Sequence, residues 1–245
     1  MRAILRLPPQ LNIARGRGHA LHLRVRRRLD RHGLLRRTRP VSEHWGFDRG
    51  TPVDRYYIEA FLEARTADIR GRVLEVLDDT YPRRFGHGVN RHDDIDIDRA
   101  NPRATFVGDL TQPGVLPDGA FDCMVLTQTL QLIYDVDAVV RHAHRILAPG
   151  GVLLVTLPAL GRVAAQTGDE GDYWRFMPAA CRRLFGDVFG WDSVDVRPAG
   201  NVLAGIVFLA GMAAEEVTRT RLDDHDPRNP LVITVRAVKH ADASA

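Results

Sequence analysis

The sequence FDCMVLTQTLQLIYDVDAVVRHAHRILAPGGVLLVTLP, residues 121–158, predicts a strand, a helix, a turn and a second strand. Residues 123–126 and 152–157 are continuous apolar runs, as expected of strands that are buried on both faces. Between them apolar residues recur at helical spacing, and we expect Pro149-Gly150-Gly151 to end the helix. A strand–helix–strand unit of this length forms a right-handed parallel crossover, so the stretch predicts an α/β fold.

The rest of the chain extends this unit into a larger sheet. Further strands are predicted at 71–77, 94–98, 104–107, 194–196 and 231–238, which makes seven strands in all. Helices are predicted at 21–35, 53–65, 178–189 and 201–220. The predicted architecture is a doubly wound, seven-stranded, mostly parallel sheet in a domain of residues 41–245, with residues 1–40 as a basic N-terminal appendage.

Length and composition limit the class of protein. The 245 residues suffice for one α/β domain with an appendage, and no apolar run approaches the roughly 18–20 residues of a membrane span. The N-terminus lacks the continuous apolar core of a secretory signal. Cys123 falls in a predicted strand and Cys181 in a predicted helix, so we expect no disulfide framework and a cytoplasmic protein.

The N-terminal appendage carries an uneven share of the charge. Residues 1–40 contain twelve arginines and one acid, Asp30, although the whole chain has a net charge of only +3. The segment has no aromatic residue to stack on a base, which makes nucleic-acid binding an unlikely role. The alternatives are a solvated arginine-rich helix, an arm that packs on a second copy in a homodimer, and attraction to an anionic substrate or membrane surface.

The motifs together resemble a known family. An FD-opening strand followed by LAPGG at 147–151 is similar to the second half of a class I S-adenosylmethionine-dependent methyltransferase, and the resemblance runs from about 71 to 238. The segments 48–62, 74–86, 127–135 and 171–176 resemble a bacterial subgroup that often occurs beside glycosyltransferases. The resemblance implies S-adenosylmethionine as cofactor and transfer of its methyl group.

One motif departs from the family pattern. After the acid Glu75, where the family has three alternating glycines, this chain has Leu77, Asp79 and Tyr81. A Cβ at those places obstructs the usual close approach of the cofactor unless the loop takes another path. In the subgroup that the chain resembles, LE-x-x-[DN]-x-x-Y-x-RRFG replaces the glycine-rich loop, so the resemblance still implies cofactor binding by Glu75 and Tyr81. Arg84, or Arg83 beside it, could pair with the cofactor carboxylate.

Polar residues follow the next predicted strands. Asp96 lies 21 residues after Glu75, and its two oxygens suit the ribose diol of the cofactor; Asp98 is the rival. The resemblance implies that Asp109 binds the adenine amino group and that Leu110 contacts the ring. The ends of parallel strands line ligand sites, so we expect two residues after the fourth strand to face the same pocket: Thr127 and Gln128.

The loop after the fifth strand resembles a substrate lid. Its end, GDYWRF at 171–176, combines an acid, aromatic rings and an arginine. Asp172 is the first candidate for a general base, with Asp169 and Glu170 as competitors. We expect Trp174 and Tyr173 to stack on a sugar or on the cofactor, and Arg175 to hold an anionic group. The alternative is that Trp174 and Phe176 anchor the following helix in the core.

Two further residues complete the candidate site. The resemblance places the helix at 53–65 beside the cofactor pocket, and Tyr57 belongs to a dense polar and aromatic run there. That run could instead cap and anchor its helix. His225, in an acidic turn, is a second candidate base. No Cys/His set has zinc spacing and no acidic run matches a calcium loop, so we expect no metal.

The expected function is methyl transfer from S-adenosylmethionine to a small-molecule acceptor, a hydroxyl of a sugar or natural product. One alternative is a methyltransferase-like fold with a degenerate cofactor loop, which acts as a non-methylating catalyst or as a partner subunit. Another is a methyltransferase for RNA or a different polyanion, favoured by the basic arm.

Overall fold

Seven strands form one sheet in the computed structural model, which describes residues 37–77, 80–102, 104–164 and 171–241. The strands are β1 (Gly71–Val76), β2 (Val89–Asp96), β3 (Phe106–Val107), β4 (Phe121–Thr127), β5 (Leu147–Pro158), β6 (Val194–Ala199) and β7 (Val232–Val238). Their spatial order is β3-β2-β1-β4-β5-β7-β6. The helix predicted at 21–35 lies outside the described residues.

The sheet is mostly parallel, as predicted. The pairs β1–β2, β2–β3, β1–β4 and β4–β5 are parallel, whereas β7 runs antiparallel to both β5 and β6. The strand order changes direction between β1 and β4, because β2 and β3 follow on one side and β5 on the other. This is the switch point at which open α/β sheets bind their ligands.

Helices cover both faces of the sheet. They are α1 (Val53–Glu63), α2 (Thr80–Phe85), α3 (Val136–Ile146), α4 (Pro178–Phe189), α5 (Val202–Leu209) and α6 (Arg219–Leu222). One core cluster joins α3 and α4 to the sheet, and a second joins α1 and α5 to its other face. Each strand therefore contributes alternate side chains to two separate apolar layers. No helix in the described ranges has the length and hydropathy to cross a lipid bilayer.

The helix between β4 and β5 ends earlier than the Pro-Gly-Gly motif predicts. The Asp135 side chain caps its start by accepting a hydrogen bond from the Ala138 amide at 2.9 Å. The helix stops at Ile146, and Leu147 is already extended and paired with Phe121 of β4. Gly151 permits this close pairing, since a Cβ there would lie 3.0 Å from the Phe121 carbonyl oxygen. The motif thus belongs to the start of the strand.

The single helix predicted at 201–220 is wrong. It is divided into α5, a 3₁₀ turn at Ala214–Glu216 and α6. The break lies at Gly211, which has a φ of +71° and abuts the main chain of Ser42. The apolar pattern continues past Gly211 because residues 212–214 are apolar and buried, so periodicity alone does not reveal the break.

Residues 41–52 pack against the segment 201–220. Arg49 and Glu216 form a buried, two-pronged ion pair with both N–O distances at 2.9 Å. Trp45 stacks on Phe208 of α5 with ring centroids 5.2 Å apart. The Ser42 hydroxyl donates to Asp48 and accepts from the Gly46 amide. These contacts fix the chain that leads into α1.

Candidate functional site

The parallel strands β1, β2, β4 and β5 end at one edge of the sheet, and this edge contains the candidate site. Its centre is the switch point between β1 and β4. Here the loops after neighbouring strands diverge to opposite faces and leave room for a ligand.

Two residues at the switch point have a backbone conformation that ordinarily belongs to glycine. Leu77, directly after β1, has a φ of +79°, and Gln128, directly after β4, has a φ of +48°. Main-chain hydrogen bonds hold both residues, from Leu77 N to the Ile95 oxygen and from Gln128 N to the Thr156 oxygen. Such conformations cost about 1–3 kcal/mol and cluster at functional sites. Leu77 therefore keeps the backbone conformation of the glycine that it replaces.

Glu75 and Tyr81 connect the end of β1 to α2. Glu75 is buried, and its Oε2 accepts a hydrogen bond from the Tyr81 amide at 3.1 Å. Tyr81 is buried as well, and Arg55 donates a hydrogen bond to its hydroxyl. Sequence reasoning missed α2 altogether. Asp79, at the second glycine position, lies outside the described residues.

Asp96 is fixed at the end of β2. It is buried, and its carboxylate accepts hydrogen bonds from the Asp98 amide and from the Asn101 side chain, both at 2.9 Å. An ionised carboxylate has about four acceptor positions, so two remain for other donors. Asp98 is exposed and accepts from the Ala100 amide. Of the two rivals, Asp96 is the one that is held at the strand end.

Asp109 and Leu110 follow β3. Oδ1 of Asp109 accepts from both the amide and the hydroxyl of Thr111, each at 2.8 Å. Within the described ranges its Oδ2 has no hydrogen-bond partner. Leu110 packs against the core cluster of α3, and its carbonyl oxygen contacts Nδ1 of His142 at 3.0 Å. The Asp109 carboxylate thus keeps one free oxygen beside an apolar residue.

The end of β4 connects to the segment at 171–176. Gln131 donates through Nε2 to the Gln128 carbonyl oxygen at 2.8 Å, and its own carbonyl oxygen accepts from the Tyr173 amide at 2.8 Å. Nε2 of Gln128 and Oε1 of Gln131 are buried, and neither has a hydrogen-bond partner among the described residues. Thr127, the last residue of β4, is half-buried. Unpaired buried amides are costly, so this corner is suited to receive polar ligand atoms.

Three aromatic rings lie together above this corner. Tyr134 contacts Tyr173 with centroids 5.5 Å apart and Trp174 with centroids 5.6 Å apart. The Trp174 indole donates to the Ile133 carbonyl oxygen at 3.0 Å, which fixes its ring. Tyr134 is 69% exposed and Tyr173 is 45% exposed. We call these three residues the aromatic surface. Sequence reasoning missed these ring contacts of Tyr134.

Asp172 and Arg175 bind each other. The guanidinium donates to both Asp172 oxygens, at 2.5 and 2.8 Å, and the Ala164 amide donates to the same carboxylate at 2.9 Å. The Asp172 side chain is only 3% exposed. Arg175 also donates to the Arg162 carbonyl oxygen. In this arrangement Asp172 has to separate from Arg175 before it can accept a proton. Asp169 and Glu170 lie outside the described residues.

Tyr57 and His225 lie next to each other, with ring centroids 5.8 Å apart. The buried Tyr57 hydroxyl donates to the Leu222 carbonyl oxygen at 2.9 Å, and burial raises the pKa of this tyrosine. His225 is exposed, and its Nδ1 accepts from the Gly200 amide at 3.1 Å. This acceptor role requires a neutral imidazole with its proton on Nε2.

Arg84 is turned away from the strand ends. It donates to Glu59 of α1 at 2.6 Å on the outer side of α2. Both residues line a groove of about 490 Å³, together with Glu63, Thr66, Phe85, Gly86 and His87. Within the described ranges, no group of three or more His, Cys, Asp or Glu residues is arranged to hold a metal ion.

Comparison with known proteins gives one family match. Residues 71–155, from β1 into β5, match the family described as "Methyltransferase domain". The search of curated protein sequences found no significant match. The matched residues contain β1 to β4 and most of β5, the strands that build the candidate site.

Solved structures share the fold. Phosphoethanolamine N-methyltransferase 2 of Haemonchus contortus, in complex with S-adenosyl-L-methionine, has a TM-score of 0.52 and 16% identity, covering 76% of this chain and 53% of that one. S-adenosylmethionine-dependent methyltransferases of Archaeoglobus fulgidus (TM-score 0.51, 12% identity, 76% and 94% covered) and Mesorhizobium loti (0.50, 16%, 76% and 99%) are also similar. At these identities the similarity shows the fold.

The methyltransferase-domain match over residues 71–155 and the Rossmann-like fold together indicate an enzyme whose cofactor is S-adenosylmethionine. The described residues fit the adenosine part of this cofactor. Asp96 is a buried carboxylate with acceptor positions to spare, and Asp109 has a free oxygen next to an apolar side chain. Leu77 keeps the turn that the glycine-rich loop requires.

Proposed function

We propose that this enzyme methylates a hydroxyl group of a small, ring-containing acceptor such as a sugar or natural product. The aromatic surface of Tyr134, Tyr173 and Trp174 is the observation that carries the proposal. It joins the loops after β4 and β5, directly beside the strand ends. Exposed rings of this kind bind the apolar faces of sugars and other rings, while their polar groups orient the ligand.

The aromatic surface is attached to the loop after β4 by hydrogen bonds. The main chain of Tyr173 and the indole of Trp174 are both hydrogen-bonded to the loop after β4. A preformed surface loses little side-chain freedom on binding, which favours affinity for a rigid acceptor. We infer that the acceptor ring stacks here and that its hydroxyl points towards the corner of Gln128 and Gln131.

The chemistry demands little from the protein beyond position. When bound, the cofactor supplies a methyl group on a positively charged sulfur. Asp96 and Asp109 would hold its adenosine part, and the aromatic surface would align the acceptor hydroxyl for in-line attack. A general base adds about 10²–10⁴-fold by removing the hydroxyl proton. Both candidate bases are engaged in the described structure, because Asp172 is bound to Arg175 and Nδ1 of His225 accepts from the Gly200 amide.

We further propose a domain of residues 41–245 and a cytoplasmic location. Both cysteines are free thiols, which supports a reducing compartment. A homodimer through the N-terminal segment stays a proposal, because residues 1–36 lie outside the described part of the chain.

The test is methyl transfer from radiolabelled S-adenosylmethionine to a panel of sugars, nucleotide sugars and glycosylated natural products. Tyr134→Ala should raise the acceptor KM by roughly 10-fold, in line with a lost stacking contact of about 1–1.5 kcal/mol. Tyr134→Phe keeps the ring and should stay near the wild type. Transfer to RNA in place of these acceptors, or cofactor binding without any transfer, would refute the proposal in favour of a polyanion methyltransferase or a non-methylating protein.

A further inference from the structure

Arg55 is a partly buried cation next to the cofactor edge. It lies in the first turn of α1, and its guanidinium donates to the Tyr81 hydroxyl. The guanidinium carbon also lies 5.8 Å from the centre of the Tyr81 ring. Tyr81 is in turn bonded through its amide to Glu75 at the end of β1. Two hydrogen bonds therefore connect Arg55 to the strand end.

No carboxylate of the described residues forms an ion pair with Arg55. Asp54 accepts a hydrogen bond from the Arg55 main-chain amide at 2.9 Å, and burial raises the pKa of the Asp54 carboxyl. Glu59 is bound to Arg84. Burial raises the pKa of the Tyr81 hydroxyl despite the nearby Arg55, so at neutral pH the hydroxyl carries no charge. Burial lowers the pKa of Arg55, but Tyr81, Asp54 and Glu59 raise it by more, although no carboxylate of the described residues contacts the guanidinium.

A partly buried guanidinium with no carboxylate in contact can still take up an anion as a direct hydrogen-bond partner. In the family that the sequence resembles, glycines at three positions let the main chain approach the amino-acid end of the cofactor, whereas this chain has Leu77, Asp79 and Tyr81 there. Tyr81, at the third of these positions, is the residue that orients Arg55. The substitution that removes the glycine thus supplies a support for the arginine.

We propose that Arg55 binds the carboxylate of the methionine part of S-adenosylmethionine, with Tyr81 as its positioning residue. The proposal rests on the cofactor use described above. A guanidinium matches a carboxylate with two parallel N–H···O bonds, which gives both strength and orientation. The sequence favours Arg84 for this role, but Arg84 is bound to Glu59 on the outer side of α2.

The experiment is calorimetric titration of the full chain with two ligands: S-adenosylmethionine and its decarboxylated form, which keeps the sulfonium and the amine. Arg55→Gln should weaken binding of S-adenosylmethionine by about 10- to 100-fold, as expected for a charge-assisted pair. Binding of the decarboxylated ligand should change by less than about 3-fold, because the pair is absent there. Tyr81→Phe should weaken S-adenosylmethionine binding selectively but less.

Arg183→Gln is the matched control, because Arg183 is an exposed arginine that is paired with Asp187 on α4. It should leave both affinities unchanged, and circular dichroism checks that each variant is folded. An equal loss for both ligands in Arg55→Gln, or the carboxylate-selective loss in Arg84→Gln instead, would overturn the inference and leave cofactor use intact. A wild-type chain that binds neither ligand would overturn both.

Discussion

At the scale of single residues, Leu77 is the clearest sign of backbone strain at the candidate site. This side chain occupies a position where the φ of +79° suits glycine and the sequence provides none. Leu77 is half-buried beside β1 and β2, and its amide is bonded to the Ile95 carbonyl oxygen. The surrounding strands therefore impose the conformation, and the residue accepts the strain. Strain retained at a strand end beside a ligand site is consistent with a functional constraint.

Comparison of two substitutions at Leu77 measures this strain. Leu77→Gly should be more stable than Leu77→Ala by about 0.5–1 kcal/mol. Alanine carries the energetic penalty of the left-handed backbone conformation and glycine does not. The greater conformational freedom of glycine in the unfolded chain offsets part of this difference. Urea unfolding of the two variants gives the difference. Leu184, half-buried in α4, is the control: there glycine should be less stable than alanine by about 1 kcal/mol. If Leu77→Gly is less stable than Leu77→Ala, as expected for the same pair at Leu184, then Leu77 is not strained.

At the scale of elements, the sequence predicts the helices and strands whose first and last residues are determined by their neighbours in the sequence. The helix predicted at 178–189 is α4 itself, since Pro178 begins it and Gly190 follows it. The helix before β5 was also predicted. The break in 201–220 was not, because it arises where the distant Ser42 main chain crosses Gly211. Contacts between segments far apart in sequence leave no periodic signal.

The candidate site divides in the same way. Asp96 and Asp109 were predicted because each lies at or just after the end of a strand, and the carboxyl ends of parallel strands meet at one edge. The aromatic surface was not recognised as one unit, because Tyr134 and Tyr173 come from loops almost forty residues apart. The partner of Asp172 is only three residues away, yet its side-chain orientation depends on the fold of the whole loop.

The break at Gly211 gives a prediction for this scale. Gly211→Ala adds a Cβ that overlaps the Ser42 carbonyl group, in a backbone with a φ of +71°. Gly88 has a similar φ of +74° and no atom within 4 Å of its added Cβ, so Gly88→Ala carries only the conformational penalty of about 1 kcal/mol. Gly211→Ala should lower the free energy of unfolding by at least about 1 kcal/mol more.

Urea unfolding at a fixed pH measures both variants. Equal losses of stability in Gly211→Ala and Gly88→Ala would show that residues 41–52 shift easily to make room for the added Cβ. The contacts of Arg49 and Trp45 would then not fix it as described.

At the scale of the whole molecule, one sheet joins two apolar layers. Cys123 faces the layer of α1 and α5, and Cys181 lies in the layer of α3 and α4. Burial raises the pKa of the Cys181 thiol to about 12 and that of Cys123 well above its usual range. Because every central strand serves both layers, neither layer should open without the other.

Thiol labelling tests this coupling. Cys123→Ala and Cys181→Ala each leave one reporter, and both should react at the rate of global unfolding. A thiol in the unfolded chain has a pKa of about 9.0, whereas burial raises the pKa of the thiol in the folded protein. Because the unfolded chain loses its thiol protons first, the free energy of unfolding should fall as the pH rises above about 9.0. A Cys181 that reacts much faster than Cys123 would indicate that the layer of α4 opens independently.

The central claim is that the edge formed by β1, β2 and β4 binds S-adenosylmethionine in spite of its altered loop. Calorimetric titration of the wild-type chain with S-adenosylmethionine tests it most directly, with Asp96→Asn as the site variant and the exposed Asp98→Asn as its control. We predict a dissociation constant of roughly 1 μM to 1 mM, weakened about 10-fold by Asp96→Asn and little changed by Asp98→Asn. A folded wild-type protein that binds no S-adenosylmethionine at millimolar concentration would contradict the account.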